Sequence, residues 1–557
     1  MRLGISLALF ALVLVACVHA NIAPPVDKGA STSEPCVEAP DDASNGRVER
    51  LYDEGDANKK HRCDASRFII AVDHLGRLRN VYGKDNQSDR TSERAAEDTR
   101  KQIDLVLSAL DVEKRKLSCT DASCPPLKIL IFVHGGMVTH ENAVLWAEQL
   151  APAMLRDGYF PIFLIWNSGF PLAYWDHLCC VNSRGDRSLQ NKGFYIPLRA
   201  GGDIGAGLAH MGENLVNQSV RFSQSVAHVS KEYSLDCSVD GQCPNAKAEP
   251  VGVNFGDNTA TNNVIYPDVP SSIANGQNEP ILQKQGQYLL LAPVRGAATV
   301  ASEVGRRAWD DMVRQTRLAL NDPPADRDSS PGDMQQSGGF VLFFSELSNH
   351  MAALNKPNPN EARANPVEIT FIGHSLGAIV GNEMIHAYPE LPYRRIVYMG
   401  AATSIREFNH LVVPVIANHD KIQFFNLMLH PLAESRELEP GRIGLAPEGS
   451  LLEWIDEMFQ DPRWSDDRML GKWLNAKEYK RTWPADLQSR MFFRVFPIQS
   501  DMAAKVPDVF AAECFLTPAQ MRRAARCHPT VHGEFDNYTF WRDRYLVGQW
   551  APSSPSQ

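Results

Sequence analysis

Short apolar runs alternate with stretches of helical spacing along much of this chain. Leu127–Val133 (LKILIFV), residues 159–166 (YFPIFLIW), 367–372 (VEITFI), 421–428 (KIQFFNLM) and 491–497 (MFFRVFP) are almost continuously apolar. Such runs suit strands of a parallel sheet covered on both faces. Residues 67–72 predict a further early strand. Residues 92–110, 141–156 and 298–320 carry apolar side chains on one side at helical spacing, the last through Val300, Val304, Trp309, Met312 and Val313. Strands alternating with helices predict an α/β fold with a mostly parallel central sheet flanked by helices.

Two gaps interrupt this alternation. Roughly two hundred residues separate the run at 159–166 from that at 367–372, far more than one helix and short loops require. A large insertion is therefore expected at about 170–340. Its middle, 236–286, is rich in Gly, Asn, Asp and Pro and reads as loop. The glycine-dense stretch 201–207 lacks the G-x-G-x-x-G order of a dinucleotide site. The insertion would cover a functional site or build its pocket, or else be peripheral elaboration. A second insertion, at 438–487, holds Trp454, Trp464, Trp473 and Trp483, which read mainly as core.

Candidate chemistry sits at the ends of two predicted strands. Gly373-His374-Ser375-Leu376-Gly377 follows one apolar run and leads into the helical stretch AIVGNEM. G-x-S-x-G between strand and helix is the pattern of a nucleophile elbow, where a sharp turn lifts the serine hydroxyl above the sheet. Small residues at both ends allow strand and helix to approach, and the helix N-terminus favours developing negative charge. The other strand, Leu127–Val133, ends in His134-Gly135-Gly136-Met137.

With these two motifs the chain resembles the α/β-hydrolase superfamily, on its lipase and esterase side. The resemblance covers the strands around His134 and Ser375 and, more loosely, the chain from there to His532. It implies an α/β-hydrolase fold with Ser375 as nucleophile. It also implies an oxyanion hole from the amides of Gly136 and Leu376, with Gly135 or Met137 as alternatives for the first. The family order of nucleophile, acid and histidine puts the base near the C-terminus. His532, on a loop after the last predicted strand, is preferred over His528. The acid should follow the penultimate strand, where no aspartate stands at the strand end. Glu434 is the nearest carboxylate and Glu437 the next.

The resemblance implies cleavage of a carboxylic ester or lipid through an acyl-enzyme, with no metal or organic cofactor. Two alternatives stand beside hydrolysis: acyl transfer to an alcohol on the same fold, and a catalytically silent envelope binding protein. The expected partner is a small-molecule or lipid ester. The formal charge of −10 and the lack of a long Lys/Arg tract argue against nucleic acid. Lys114-Arg115-Lys116 reads as a solvated helix end.

The first residues set the expected compartment. Met1-Arg2 precedes an apolar stretch over 5–16 that is too short to span a bilayer, the pattern of a signal peptide over 1–20. Leu14-Val15-Ala16-Cys17 resembles a bacterial lipobox, which would lipidate Cys17 and attach the chain to a membrane. Val18-His19-Ala20 offers an ordinary cleavage site instead. Residues 21–46 read as a flexible tether and 47–550 as one catalytic domain carrying both insertions. Of the 11 cysteines, ten remain when Cys17 is set aside. Local pairs include Cys119 with Cys124, Cys237 with Cys243, Cys514 with Cys527, and adjacent Cys179 and Cys180; Cys36 and Cys63 remain. An even set of this kind suits an oxidising, extracytoplasmic compartment, with connectivity open.

Overall fold

The apolar runs become neighbouring strands of one sheet in a computed structural model of the chain. It describes residues 35–36, 63–73, 76–82, 92–117, 125–169, 203, 292–320, 338–354, 366–429, 434, 450–460, 465–480, 482–496, 529 and 531–546. The strands are β1 (Ile69–Ala71), β2 (Leu127–Val133), β3 (Tyr159–Ile165), β4 (Val367–His374), β5 (Tyr393–Met399), β6 (Gln423–Leu429) and β7 (Met491–Phe496). Their order is β1-β3-β2-β4-β5-β6-β7, and every pairing is parallel. The fold is α/β, a seven-stranded parallel sheet flanked by helices.

Burial explains the composition of these strands. All seven side chains of β2 except Lys128 are buried, and β7 is buried throughout. Each fully buried Leu, Ile or Phe contributes about 1.5–3 kcal/mol relative to exposure. Helices α1 (Ser92–Lys116), α2 (His140–Arg156), α3 (Ala292–Ala319), α4 (Gly339–Leu354) and α5 (Gly377–Ala387) are among those flanking the sheet. Helix α2 starts at the cap Thr139, whose Oγ1 accepts from the Asn142 amide at 3.3 Å.

The strands differ from the sequence expectation in instructive ways. Helix α1 runs past residue 110 to Lys116. Its added turns are polar and end in Lys114, Arg115 and Lys116, which favour the negative helix C-terminus. Strand β5 and helix α4 have no counterpart in the expected elements. The start of β5 is broken by Arg394 and Arg395, which hides its apolar half. Arg394 donates to the Lys421 carbonyl at 2.6 Å, and Arg395 pairs with Asp543 at 2.7 Å. Both guanidinium groups thus leave the sheet faces, and Ile396 to Met399 fill the core.

Strand order fixes where a ligand would bind. The chain passes from β2 to β3 on one side, then returns to place β4 on the other side of β2. Neighbouring connections leave in opposite directions at this switch point, which opens a crevice at the carboxyl ends of the strands. Both candidate motifs stand there: Gly135-Gly136 beyond β2 and Ser375 beyond β4.

Parts of both expected insertions join the buried core. Trp309 and Met312 of α3 are buried, and Trp473 and Trp483 of the second insertion join the core. Trp464 and residues 170–202 lie outside the described residues. Asp456, fully buried, accepts from Lys472 Nζ at 2.8 Å, Arg468 Nη1 at 3.0 Å and the Met469 amide at 2.8 Å. That network ties down the segment whose Leu470 and Gly471 amides donate to the carbonyls of Thr403 and Ala401, just past β5. Among the described residues no helix is long and apolar enough to cross a membrane.

Candidate active site

Ser375 is the strained residue of the turn between β4 and α5. Its φ is 50°, in the left-handed region that a serine rarely adopts. The turn is held from both sides. The Ser375 amide donates to the Met399 carbonyl at 2.8 Å, and the Ser375 carbonyl accepts from Ala402 at 3.0 Å and Ala378 at 3.1 Å. Glycine is required two residues later: a Cβ at Gly377 would lie 2.5 Å from the Val133 carbonyl oxygen and 2.8 Å from that of His134. The close packing of α5 on β2 thus depends on hydrogen at that position. Further along α5, Asn382 accepts from the Tyr398 hydroxyl at 2.9 Å and donates to Thr403 Oγ1 at 2.7 Å, which fixes the helix to β5.

The glycine turn after β2 lies against this elbow. A Cβ at Gly136 would be 3.8 Å from Leu376 Cβ, so the expected oxyanion residues are neighbours. Among the described residues, the Gly136 and Leu376 amides have no hydrogen-bond acceptor. The Met137 amide instead donates to the Ser168 carbonyl at 2.8 Å, and Met137 has φ 62°. It is therefore engaged elsewhere. Met312 of α3 reaches the same turn: its Sδ lies 3.8 Å from the Cβ position of Gly136. The described part of the first insertion thus touches the site, and Ser375 is only 3% exposed.

His134 braces the turn rather than facing a substrate. Its Nδ1 donates to the Gly135 carbonyl at 2.7 Å, and its Nε2 accepts from the Trp166 amide at 3.3 Å. The ring stacks on Trp166 with centroids 4.1 Å apart. Burial lowers its pKa to about 4, so the neutral ring is the stable form.

His532 arrives from the far end of the chain. It opens a 3-10 turn, His532–Asn537, and is 5% exposed. A Cβ at Gly400 would lie 2.6 Å from His532 Cε1, and Gly400 has φ 50°. Gly400 directly follows Met399, the β5 partner of His374 in the sheet register. Ser375 and Gly400 therefore occupy adjacent strand-end positions, about 4.8 Å apart by the spacing of a sheet, with His532 over the second. Burial, then the nearby His374, hold the His532 pKa well below its usual value. Neither cause is a carboxylate. The rival His528 lies outside the described residues, as do Glu437, Cys17 and the pairs at 119/124, 179/180, 237/243 and 514/527.

The carboxylates are arranged less simply. Glu434, buried beyond β6, accepts from Ser450 Oγ, and its carbonyl accepts from the Ser450 amide at 2.7 Å. Ser450 in turn caps the helix Leu451–Trp454. Asp536, on the same short turn as His532, meets His374 instead: Oδ2 is 2.9 Å from His374 Nδ1. The second ring nitrogen, Nε2, is 3.2 Å from the His532 carbonyl oxygen. Sequence reasoning gave no role to His374 or Asp536. The available signals were weak: a histidine inside the elbow and an aspartate four residues past the candidate base. Among the described residues, no group of His, Cys, Asp and Glu could hold a metal ion.

No family model, curated protein or solved structure matches this chain.

Proposed function

We propose that this chain is an extracytoplasmic serine hydrolase of the α/β-hydrolase kind, cleaving carboxylic esters or lipids. One observation carries the reading: Ser375, strained at φ 50°, stands at the switch point of a parallel sheet beside a glycine turn, with a buried histidine over the adjacent strand end. In this reading Ser375 Oγ forms a bond to the ester carbonyl carbon while His532 takes its proton. The oxygen of the tetrahedral intermediate is held by the Gly136 and Leu376 amides. The carbon–oxygen bond to the alcohol then breaks, and the proton passes from His532 to that leaving group. Water repeats the sequence and frees the acid. The depressed His532 pKa keeps the ring neutral, the form that can accept a proton. Glu434 keeps the place that the triad order gives to the acid.

The burial of Ser375 favours one alternative. A water-poor site suits acyl transfer to an alcohol, which product analysis with added alcohol separates from hydrolysis. The Cys36–Cys63 disulfide supports an oxidising compartment, in line with the N-terminal signal pattern and the lipidation of Cys17 proposed from it. The test of function is turnover of a p-nitrophenyl ester by the purified chain and by Ser375→Ala. The wild type releases p-nitrophenol and the folded variant does not; equal turnover by both would sink the reading.

A further inference from the structure

We propose that Asp536 and His374 form a positioning pair that clamps the base turn to the nucleophile elbow. This rests on the reading of Ser375 and His532 as nucleophile and base, and adds what fixes one to the other. The 3-10 turn grips a single imidazole at both nitrogens. The Asp536 carboxylate takes Nδ1 at 2.9 Å, and the main-chain carbonyl of His532 takes Nε2 at 3.2 Å. The turn thus offers an acceptor oxygen to each ring nitrogen. His374 immediately precedes Ser375, so the clamp joins the backbone of the base to the residue beside the nucleophile.

Two further observations support a role beyond packing. The pair is deeply buried, the His374 side chain 6% exposed and that of Asp536 2%. A buried polar pair often gives no more stability than an apolar pair of the same shape. Asp536 Oδ1 is also buried without a hydrogen-bond partner among the described residues, an arrangement that costs free energy. The ring has little room to leave the clamp. A Cβ position at Gly135 lies 3.0 Å from His374 Nδ1, and the rings of His532 and Phe535 are centred 5.2 and 5.8 Å away. The titratable groups facing this pair are His532 on the base turn and His134 beyond β2. A loosened clamp would let the His532 ring drift from Ser375 with little effect on substrate binding.

The experiment compares Asp536→Asn, Asp536→Glu and His374→Gln in the full chain with p-nitrophenyl acetate as substrate. Ser375→Ala is run beside them, so that loss of the function reading is seen separately. Asp536→Asn is expected to lower kcat roughly a hundredfold while KM stays within about twofold. Asp536→Glu should recover at least about tenfold of that loss, and His374→Gln should match Asp536→Asn. Wild-type kcat in Asp536→Asn, with Ser375→Ala inactive, overturns the clamp and leaves the function reading standing. Activity that persists in Ser375→Ala overturns both. If no substituted pair folds, or losses track the melting temperature alone with no recovery in Asp536→Glu, the pair is structural and the proposal fails.

Discussion

The two sides of the candidate site are built in different ways. The elbow is local: five consecutive residues, a strand before them and a helix after them place Ser375, and its hydrogen bonds are main-chain bonds to neighbouring strand ends. The histidine side is remote. His532 lies 157 positions further along the chain, on a six-residue 3-10 turn tied to the elbow through the His374 ring. A local element is held by backbone geometry and packing. A remote one depends on a few side-chain contacts, so its loss should weaken chemistry before it weakens the fold.

The largest expected effect breaks the remote side. His532→Ala should lower kcat/KM for an ester by at least about a thousandfold, in the range for loss of a general base plus its positioning. The melting temperature should change far less. Steady-state kinetics with a thermal melt check this, and an active His532→Ala would move the base elsewhere.

The next prediction contrasts the two sides through pH. Burial leaves His134 and His532 with lower pKa values folded than unfolded, so the unfolded chain binds more protons as pH falls through 6.5. Their contribution to stability is complete above about pH 6.5 and is lost as pH drops; for His134 the loss runs down to about pH 4. That residue alone accounts for on the order of 3 kcal/mol. Asp456 acts in a lower window. Burial alone would raise its pKa, but Lys472 and Arg468 bring it down to about 2, so its contribution is lost between about 3.8 and 2. Urea midpoints at pH 8, 6, 4.5 and 3 should show the first decline in wild type, and a shallower one in His134→Gln. A flat profile between pH 7 and 4.5 would contradict the buried neutral histidines.

A smaller effect probes the elbow alone. Ser375→Gly should abolish turnover yet stabilise the chain by about 1 kcal/mol, because glycine adopts φ 50° without strain. Chemical denaturation of Ser375→Gly beside Ser375→Ala isolates that term. Equal stability in the two would mean that no strain is stored at the turn.

This difference also explains what the sequence made legible. Ser375, the glycine turn and the strands β2, β3, β4, β6 and β7 are carried by contiguous residues, so pattern and period reach them. Strand β5 was hidden because Arg394 and Arg395 occupy its solvent-side half, and α4 because the run FVLFF carries no distinct period. Asp536 was illegible for another reason. Its proposed role rests on a contact with His374, 162 positions away, and spacing cannot report a pairing that the fold alone creates. Glu434 was chosen by chain order, and the structure gives its carboxylate to Ser450.

The central claim is that Ser375 is a nucleophile served by the elbow around it. Its most direct measurement is reaction of the purified full chain with a fluorophosphonate, followed by mass spectrometry of the proteolytic peptides. On the proposed function, one phosphonyl group per chain should be taken up on Ser375, and Ser375→Ala should take up none. A folded wild-type chain that stays unmodified, or carries the group on another residue, would contradict the account.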